Sequence, residues 1–241
     1  IREQYDGKLE ADDTTGDIVG ISGRVVFVRN TGKLCFASLQ QGDGTRIQAM
    51  ISLAGVGEEA LTDWKSLVDL GDHVFVHGEV ISSRRGELSV MADSWQMASK
   101  ALRPMPNLHS DLSDETRIRQ RYLDLMVRQE ARDIVVKRAK ITQMVRDVLN
   151  NHGYIELETP ILQLVHGGAS ARPFETHLNA FDQNMTLRIA AELFLNRAAV
   201  GGLERVYEIG RVFRNEGIDS THSPEFTTLE CYEAYADQFV M

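Results

Sequence analysis

The sequence predicts an α+β fold, in which a five-stranded β-barrel at the N-terminal end precedes a second domain built on antiparallel strands. Three observations support this fold class. Five short segments rich in β-branched and aromatic residues, separated by turn residues, fill roughly the first hundred positions. A connector with two prolines follows, and beyond it the spacing of apolar residues changes to the helical period. Finally, 241 residues are enough for two domains of ordinary size.

The barrel strands are predicted from Asp17 to about Ala98. The first two segments are DIVGISGRVVFVRN and KLCFASLQ, and the turn QGDG follows them. The third is RIQAMIS, and the last two are HVFVHGEVISS and ELSVMADSWQMAS, joined by the turn RRG. A helical stretch around Glu58 to Leu67 separates the third strand from the fourth. Five short strands with a helix at this point match the OB-fold barrel, whose open face binds single-stranded nucleic acid. We therefore assign residues 1–100 to an OB-fold domain.

The second domain is predicted to begin after the connector ALRPMPNLHSDLSDETR, which makes residues 101–120 a linker and residues 121–241 a separate domain. Its first long element is a helix in ARDIVVKRAKITQMVRDVLNNHGY, where apolar residues recur at helical spacing. Gly153 is expected to end this helix. A short strand in IELETPIL is predicted to end at Pro160. The segment LNAFDQNMTLRIA is then largely extended, and AAELFLNRAAVGG forms a short helix.

Composition and charge exclude several classes of protein. The net charge of −9 argues against a protein that coats nucleic acid without selectivity, although residues 117–146 are locally basic. No apolar run reaches the roughly 18 to 20 residues that cross a bilayer, and the polar N-terminal residues lack the apolar stretch of a secretory signal. Cys35 and Cys231 have no metal-binding spacing, so we expect two unrelated cysteines, no metal site and a reducing, cytoplasmic location.

The segment 204–237 is the most informative part of the sequence. It predicts two strands joined by the loop NEGIDSTHSP. Alternation along the first strand places Glu208 and Arg214 on one face, opposite a face with apolar residues. On the second strand four side chains point together, namely Phe226, Thr228, Glu230 and Tyr232. An arginine can hold a phosphate, an aromatic ring can stack on adenine, and carboxylates can hold an ammonium group. The pattern alone also fits the charged, solvent-facing side of an edge hairpin.

Three stretches of this chain resemble the class II aminoacyl-tRNA synthetases, in the form found in lysyl enzymes. FRNEG followed by HSPEFTTLECY resembles motif 2 of that class, and DVLNNHGYIELETPIL resembles motif 1. GGASARPFETHLNAFDQNMTLRIAAELFLNR is similar to the lysine-specific stretch between these motifs. The likeness runs from about residue 17 to the C-terminal end. It implies the first part of a class II catalytic domain behind an anticodon-binding OB-fold domain.

The resemblance implies four ATP-binding residues around motif 2. Arg214 would bind the α-phosphate and act as the catalytic residue. Glu216 and His222 would contact the nucleotide from the loop, and Phe226 would stack on adenine. A histidine in a loop is often simply exposed, which is the alternative for His222.

The resemblance also implies a lysine-binding group. Glu192 would bind the α-amino group of lysine, with the backbone of Gly168 nearby. Glu230 and Tyr232 would help to hold the substrate, and Tyr232 is expected near the side-chain amine. One position departs from the family pattern, because Ala191 stands where the family commonly has proline.

In the OB-fold domain the resemblance implies an anticodon-binding group. Phe36 would stack on a base, and Gln48 would hydrogen-bond a base edge. Arg29 would contact a base or a phosphate, and Glu87 a base edge. Stacking on an aromatic side chain contributes about 1–3 kcal/mol per base. The alternative for Phe36 is a place in the barrel core, since it alternates with Cys35.

The implied function is that of a lysine–tRNA ligase. Lysine and ATP would give lysyl-adenylate, and the lysyl group would then pass to tRNA(Lys). Mg²⁺ is expected with the triphosphate, and a homodimer is expected to form through motif 1. The chain begins without Met and has no glycine-rich third motif of this class. We therefore expect a fragment that is inactive alone, with the magnesium ligands in the missing half.

Four other functions remain as alternatives. An aspartyl- or asparaginyl-tRNA synthetase shares the barrel and the motifs, although an acidic substrate would favour basic residues at position 230. An enzyme that modifies an elongation factor with lysine would lack the OB-fold domain. A lysyl transferase fused to a membrane domain that makes lysyl-lipid also fits, although no membrane segment occurs in this part. A non-catalytic RNA-binding protein would keep the barrel but not the nucleotide site.

Overall fold

The computed structural model describes residues 1–107 and 110–241, and it divides the chain into two compact units, Ile1–Val135 and Val136–Met241. The segment predicted as a linker, 101–120, includes residues 108 and 109, which lie outside the described residues. The same segment contains a short helix, α4 (Asp114–Arg119). Within the described residues, no helix is both long and apolar enough to cross a membrane.

The first unit contains a closed five-stranded barrel, as the sequence predicts. The strands are β1 (Thr14–Asn30), β2 (Leu34–Gln40), β3 (Arg46–Ser52), β4 (His73–Ser82) and β5 (Leu88–Ser99). They close in the order β1-β2-β3-β5-β4. Every neighbouring pair is antiparallel except β3 and β5, which run parallel. The helices of this unit before α4 are α1 (Arg2–Tyr5), α2 (Leu53–Val56) and α3 (Glu58–Leu67), so the predicted helix between the third and fourth strands is confirmed.

Alternation along the strands fills the barrel with apolar side chains. Val25, Cys35 and Val90 are fully buried, and burying a side chain of valine size contributes about 1.5 kcal/mol or more. Helix α3 covers one end of the core, because its buried residue Trp64 packs edge-on against Trp95 with the ring centroids 5.1 Å apart. The barrel is therefore a rigid support for the residues on its outer face.

Helices α5 (Arg121–Val127) and α6 (Gln129–Asn151) follow α4. The end of α6 lies where the sequence predicts it. Gly153 adopts a positive φ of 79°, and the N–H of Tyr154 donates to the carbonyl oxygen of Leu149. A residue in this left-handed conformation reverses the chain after the helix, and glycine adopts it without a Cβ penalty.

The second unit contains two three-stranded sheets. One has the order β11-β10-β6, and the other has the order β7-β9-β8. The strands are β6 (Ile155–Glu156), β7 (Leu162–Gln163), β8 (Glu175–Leu178), β9 (Gln183–Leu187), β10 (Arg205–Phe213) and β11 (Glu225–Glu233). The hairpin of β10 and β11 confirms the predicted strand–loop–strand segment. Helix α7 (Glu192–Val200) confirms the predicted short helix before it.

Two predicted extended segments differ from the structure. The strand in IELETPIL was predicted to run to Pro160, but it ends at Glu156. The physical reason is that the N–H and the hydroxyl of Thr159 donate to the Glu208 carboxylate, which draws the backbone out of the ladder. The segment LNAFDQNMTLRIA is interrupted by a 3-10 turn at Asn179–Phe181, so it folds into a hairpin of β8 and β9.

Candidate active site and nucleic-acid interface

The register of the β10–β11 hairpin decides which side chains share a face. Glu208 lies directly opposite Glu230, and Val212 lies opposite Phe226. Because directly opposite residues in an antiparallel pair point to the same side, the predicted grouping of Phe226, Glu230 and Tyr232 on the face of Glu208 follows from this register. The hairpin thus carries two carboxylates and two aromatic rings on one side.

The four residues predicted to bind ATP line one cavity. Its volume is about 300 Å³, and its walls include Arg214, Glu216, His222 and Phe226. The guanidinium carbon of Arg214 lies 5.2 Å from the centre of the Phe226 ring, and two of its nitrogens donate weakly, at 3.4 Å, to the Ile189 carbonyl oxygen. Within the described residues, Arg214 forms no ion pair with a carboxylate. Its charge is therefore available to an anionic ligand.

The loop between β10 and β11 is held together by Asp219. Its carboxylate accepts hydrogen bonds from the backbone N–H groups of Thr221 and His222, and it also contacts the imidazole of His222 at 2.9 Å. The backbone hydrogen bond from Thr221 is the largest cause that lowers the pKa of Asp219, to about 2. The N–H of Arg214 donates to the Pro224 carbonyl oxygen and closes the base of the loop. These contacts keep His222 at the cavity, although its side chain is mostly exposed.

The four residues predicted to bind lysine also come together. A Cβ atom at Gly168 would lie 2.7 Å from the Cβ of Glu192, so the glycine allows this close approach. The backbone N–H of Ala191 donates to Glu230 Oε1 at 2.9 Å, and the Tyr232 hydroxyl lies 3.4 Å from Glu230 Oε2. Burial, followed by the nearby carboxylates of Glu230 and Glu192, raises the pKa of Tyr232. The tyrosine therefore stays protonated beside two carboxylates.

A buried ion pair that includes Glu208 was missed by the sequence analysis. Arg188 Nη2 lies 2.6 Å from Glu208 Oε1, and both residues are almost fully buried. Thr159 completes the group, because its hydroxyl accepts from Arg188 and donates to Glu208. A Cβ atom at Gly210 would lie 2.2 Å from Arg188 Nη2, so only glycine leaves room for the guanidinium. The charge of Glu208 is thereby paired with that of Arg188, whereas Glu230, its register partner on β11, forms no ion pair within the described residues.

The four residues predicted to bind the anticodon line a single cavity of about 590 Å³ on the barrel. Arg29 lies over the ring of Phe36, with its guanidinium carbon 4.5 Å from the ring centre. Cys35 is fully buried in the barrel core, whereas Phe36 lines this cavity. Gln48 and Glu87 line the same cavity. Stacking and hydrogen-bonding groups therefore share one concave surface.

Four further arginines line the barrel cavity, and the sequence analysis assigned none of them. They are Arg2, Arg46, Arg84 and Arg85. Arg2 reaches Glu87 at 3.5 Å and donates to the carbonyl oxygen of Arg46. This concentration of positive charge on a chain of net charge −9 suits a polyanionic ligand. The adjacent arginines of the turn RRG, Arg84 and Arg85, were a visible sign of positive charge in the sequence. The other two are scattered along the sequence.

Comparison with known proteins defines the class. Residues 113–241 match the family of class II tRNA synthetases for aspartate, lysine and asparagine (D, K and N), and residues 19–98 match the OB-fold nucleic acid binding domain. The chain therefore belongs to the class II tRNA synthetases.

Among individual relatives, the chain is similar to lysine–tRNA ligases. It is 64% identical over 237 residues to that of Kineococcus radiotolerans, which covers 98% of this chain and 47% of the relative. It is 62% identical to that of Mycolicibacterium gilvum, again over 98% of this chain and 47% of the relative. It is 46% identical to a lysylphosphatidylglycerol biosynthesis bifunctional protein of Mycobacterium ulcerans, over 95% of this chain and 20% of that protein. The chain spans about half the length of the lysine–tRNA ligases it matches.

Proposed function

We propose that the intact protein is a lysine–tRNA ligase, which activates L-lysine with ATP and transfers it to tRNA(Lys). The observation that carries this proposal is the pair of carboxylates, Glu192 and Glu230, that converge beside Tyr232 at the face of the β10–β11 hairpin. An aminoacyl-tRNA synthetase of the D, K and N family must select between acidic, amide and cationic side chains. Glu192 would hold the α-ammonium group that every amino acid carries, and Glu230 beside Tyr232 would favour a second, side-chain ammonium group and disfavour aspartate.

The neighbouring cavity supplies the groups that an adenylate-forming reaction needs. Arg214 has no carboxylate partner among the described residues, so it can bind the α-phosphate and stabilise the charge that develops there. Phe226 offers a flat ring for adenine. Glu216 and His222 line the same cavity from the loop and would contact the nucleotide.

The proposed reaction has two steps. In the first, a lysine carboxylate oxygen attacks the α-phosphorus of ATP, the bond to the β-phosphate oxygen breaks, and pyrophosphate leaves. In the second, a ribose hydroxyl at the tRNA end attacks the activated carbonyl, and AMP leaves with the bonding electron pair. Neither step needs a protein nucleophile. Positioning by Glu192, Glu230 and Tyr232, together with charge stabilisation by Arg214, accounts for the role of this chain.

Magnesium is expected to accompany the triphosphate, since this ion binds phosphate and carboxylate oxygens. The described residues contain no group of three or more His, Cys, Asp or Glu side chains that could hold a metal ion.

Two partner interactions belong to the proposal. The barrel cavity, with Arg29, Phe36 and Gln48, would bind the anticodon of tRNA(Lys). A homodimer would form through motif 1, which contains the end of α6 and β6. Exposed apolar side chains on α6, including Ile141 and Met144, support such an interface, since they are 60% and 65% exposed in the single chain.

The deciding experiment is ATP–pyrophosphate exchange by the intact protein, with each of the twenty amino acids offered separately. We expect exchange with lysine alone. Glu192→Gln should raise KM for lysine about 10- to 100-fold, because it removes a charge-assisted hydrogen bond, and should leave KM for ATP unchanged. Glu225→Gln is the matched control, since Glu225 is an exposed strand carboxylate paired with Arg211. Exchange with aspartate or asparagine would overturn the choice of substrate, and no exchange at all would favour a non-catalytic RNA-binding protein.

A second candidate follows from one comparison. The chain is 46% identical to a lysylphosphatidylglycerol biosynthesis bifunctional protein. The second candidate is therefore that the intact protein is a similar bifunctional enzyme, which transfers the lysyl group to a lipid. Labelled lysine supplied to membranes that contain the intact protein distinguishes the two functions. Label that stops at tRNA supports the ligase, whereas label in the lipid fraction that depends on the protein supports the transferase.

A further inference from the structure

Ser89 lies directly behind the barrel cavity and contacts two of the residues that line it. It is fully buried on β5, and its register partner on the parallel strand β3 is Gln48. The Nε2 group of Gln48 donates to Ser89 Oγ at 2.8 Å. Ser89 Oγ in turn donates to the backbone carbonyl oxygen of Glu87, also at 2.8 Å.

This chain of hydrogen bonds fixes the direction of the Gln48 side-chain amide. A serine hydroxyl has one proton. Because Ser89 gives that proton to the Glu87 carbonyl oxygen, its Oγ can only accept from Gln48. The NH₂ end of the amide must therefore point towards Ser89, and the carbonyl oxygen, Oε1, remains for the cavity. No hydrogen bond to Oε1 is found among the described residues.

The same serine also steadies the turn that carries Glu87. The Glu87 carbonyl oxygen accepts a second hydrogen bond from the N–H of Ser83, and the N–H of Glu87 donates to Ser83 Oγ. Ser89 therefore connects the turn after β4 with the middle of β3. These two places carry Glu87 and Gln48. The two residues are far apart in the sequence, but they line the same cavity.

We propose that Ser89 is a positioning residue, which orients the Gln48 amide so that the cavity selects a pyrimidine that carries an N–H at ring position 3. This inference rests on the proposed function, in which the barrel binds the anticodon. Phe36 supplies stacking that every base can use, so it gives affinity with little choice of base. The carbonyl oxygen of Gln48, held in one orientation, would add selectivity between bases. Uracil offers N3–H on its Watson–Crick edge, whereas cytosine has an acceptor nitrogen at that ring position.

The test compares two RNA stem-loops that are identical except for uridine or cytidine at one loop position. The dissociation constants of the intact protein are measured by fluorescence anisotropy at one fixed salt concentration. The wild-type protein should prefer uridine at one of the loop positions scanned. Ser89→Ala should reduce that preference about fivefold, or about 1 kcal/mol at 1.4 kcal/mol per tenfold. Ser82→Ala is the control, because Ser82 is buried and its hydroxyl has no partner among the described residues.

A double-mutant cycle separates positioning from a general effect on the barrel. If Ser89 acts through Gln48, Ser89→Ala should change the preference in the wild-type background and not in the Gln48→Ala background. Equal changes in both backgrounds would overturn the proposal. Should Ser89→Ala fail to fold, Ser89→Thr and Ser89→Val replace it, because threonine and valine have nearly the same shape and only threonine has a hydroxyl. The threonine variant should keep the preference for uridine, and the valine variant should lose it. Equal preferences in the two variants would overturn the role of the hydroxyl. A wild-type protein that shows no preference at any loop position would instead contradict the proposed reading of the anticodon.

Discussion

Replacement of Arg188 with methionine should destabilise the protein more than any surface substitution on the β10–β11 hairpin, whose residue Glu208 it pairs with. The Arg188 guanidinium donates to Thr159 and to the Arg211 carbonyl oxygen, and it lies 2.6 Å from the Glu208 carboxylate. Without it, a carboxylate that is only 5% exposed would lack its counter-charge and face Glu230 across the strand pair. Removal of one partner of a buried pair costs about 3–5 kcal/mol. Such a loss is a large fraction of the roughly 5–15 kcal/mol that stabilises a domain.

The measurement is urea unfolding of the intact protein and its variants at pH 7. Arg211→Met is the matched control, because Arg211 lies on β10, the strand that carries Glu208, and its Nε is 3.6 Å from an exposed carboxylate of Glu225. Arg211→Met should lower the free energy of unfolding by about 0–1 kcal/mol. The double variant Arg188→Met/Glu208→Leu should recover most of the lost stability, since both buried charges leave together.

Two results would refute this reasoning. If Arg188→Met costs no more than Arg211→Met, the buried carboxylate of Glu208 does not depend on its partner. If the double variant is as unstable as Arg188→Met, the loss comes from packing and not from an uncompensated charge. Exchange activity should follow stability in these variants, because Arg188 supports the hairpin without lining the nucleotide cavity.

Two further predictions concern the loop of the nucleotide cavity and the wall of the barrel. The pKa of Asp219 is lowered to about 2, below its ordinary value of 3.8, so the loop contacts that it accepts are fully present above pH 3.8 and lost as the pH falls through 2. NMR titration of the Asp219 carboxyl carbon should give that low midpoint, and Asp219→Asn should raise KM for ATP by releasing His222. Gly78→Ala should prevent the barrel from forming, because its Cβ would lie 2.0 Å from a backbone oxygen on β5. Circular dichroism and urea unfolding measure that loss.

Controls for both predictions lie on the same chain. Asp182→Asn alters an exposed acid outside the nucleotide cavity and should leave KM for ATP unchanged. Gly42→Ala places a methyl group where no atom lies within 4 Å, so its stability should match that of the wild type. An Asp219 midpoint near 4, or a Gly78→Ala variant as stable as the Gly42→Ala variant, would contradict the geometry described for these sites.

The elements with strong local patterns were predictable from sequence. The β10–β11 hairpin follows from strict alternation, and the end of α6 follows from Gly153. The strand after Gly153 was predicted too long, because the hydrogen bond that ends it runs from Thr159 to Glu208, far along the chain. Sequence periodicity carries no information on a partner at that separation.

In the candidate site, too, some features were predictable from the sequence and others were not. Alternation placed Glu230 and Phe226 on one face, but their proposed roles came from family resemblance and not from the pattern. Arg188 gave no signal, since a single arginine in an extended segment is usually exposed and only the folded chain buries it against Glu208. Ser89 was also invisible, because it meets Gln48 through the parallel pairing of β3 and β5, which joins distant parts of the sequence.

Each unit carries a phenylalanine with a guanidinium already placed over its ring, Arg29 on Phe36 and Arg214 on Phe226. A ring has two faces, and the arginine occupies one of them. Under the proposed function, each phenylalanine would therefore stack a single base on its free face, with the arginine over the other face. If the proposed roles of Phe36 and Phe226 hold, one base per ring is the expected stoichiometry of stacking in both units.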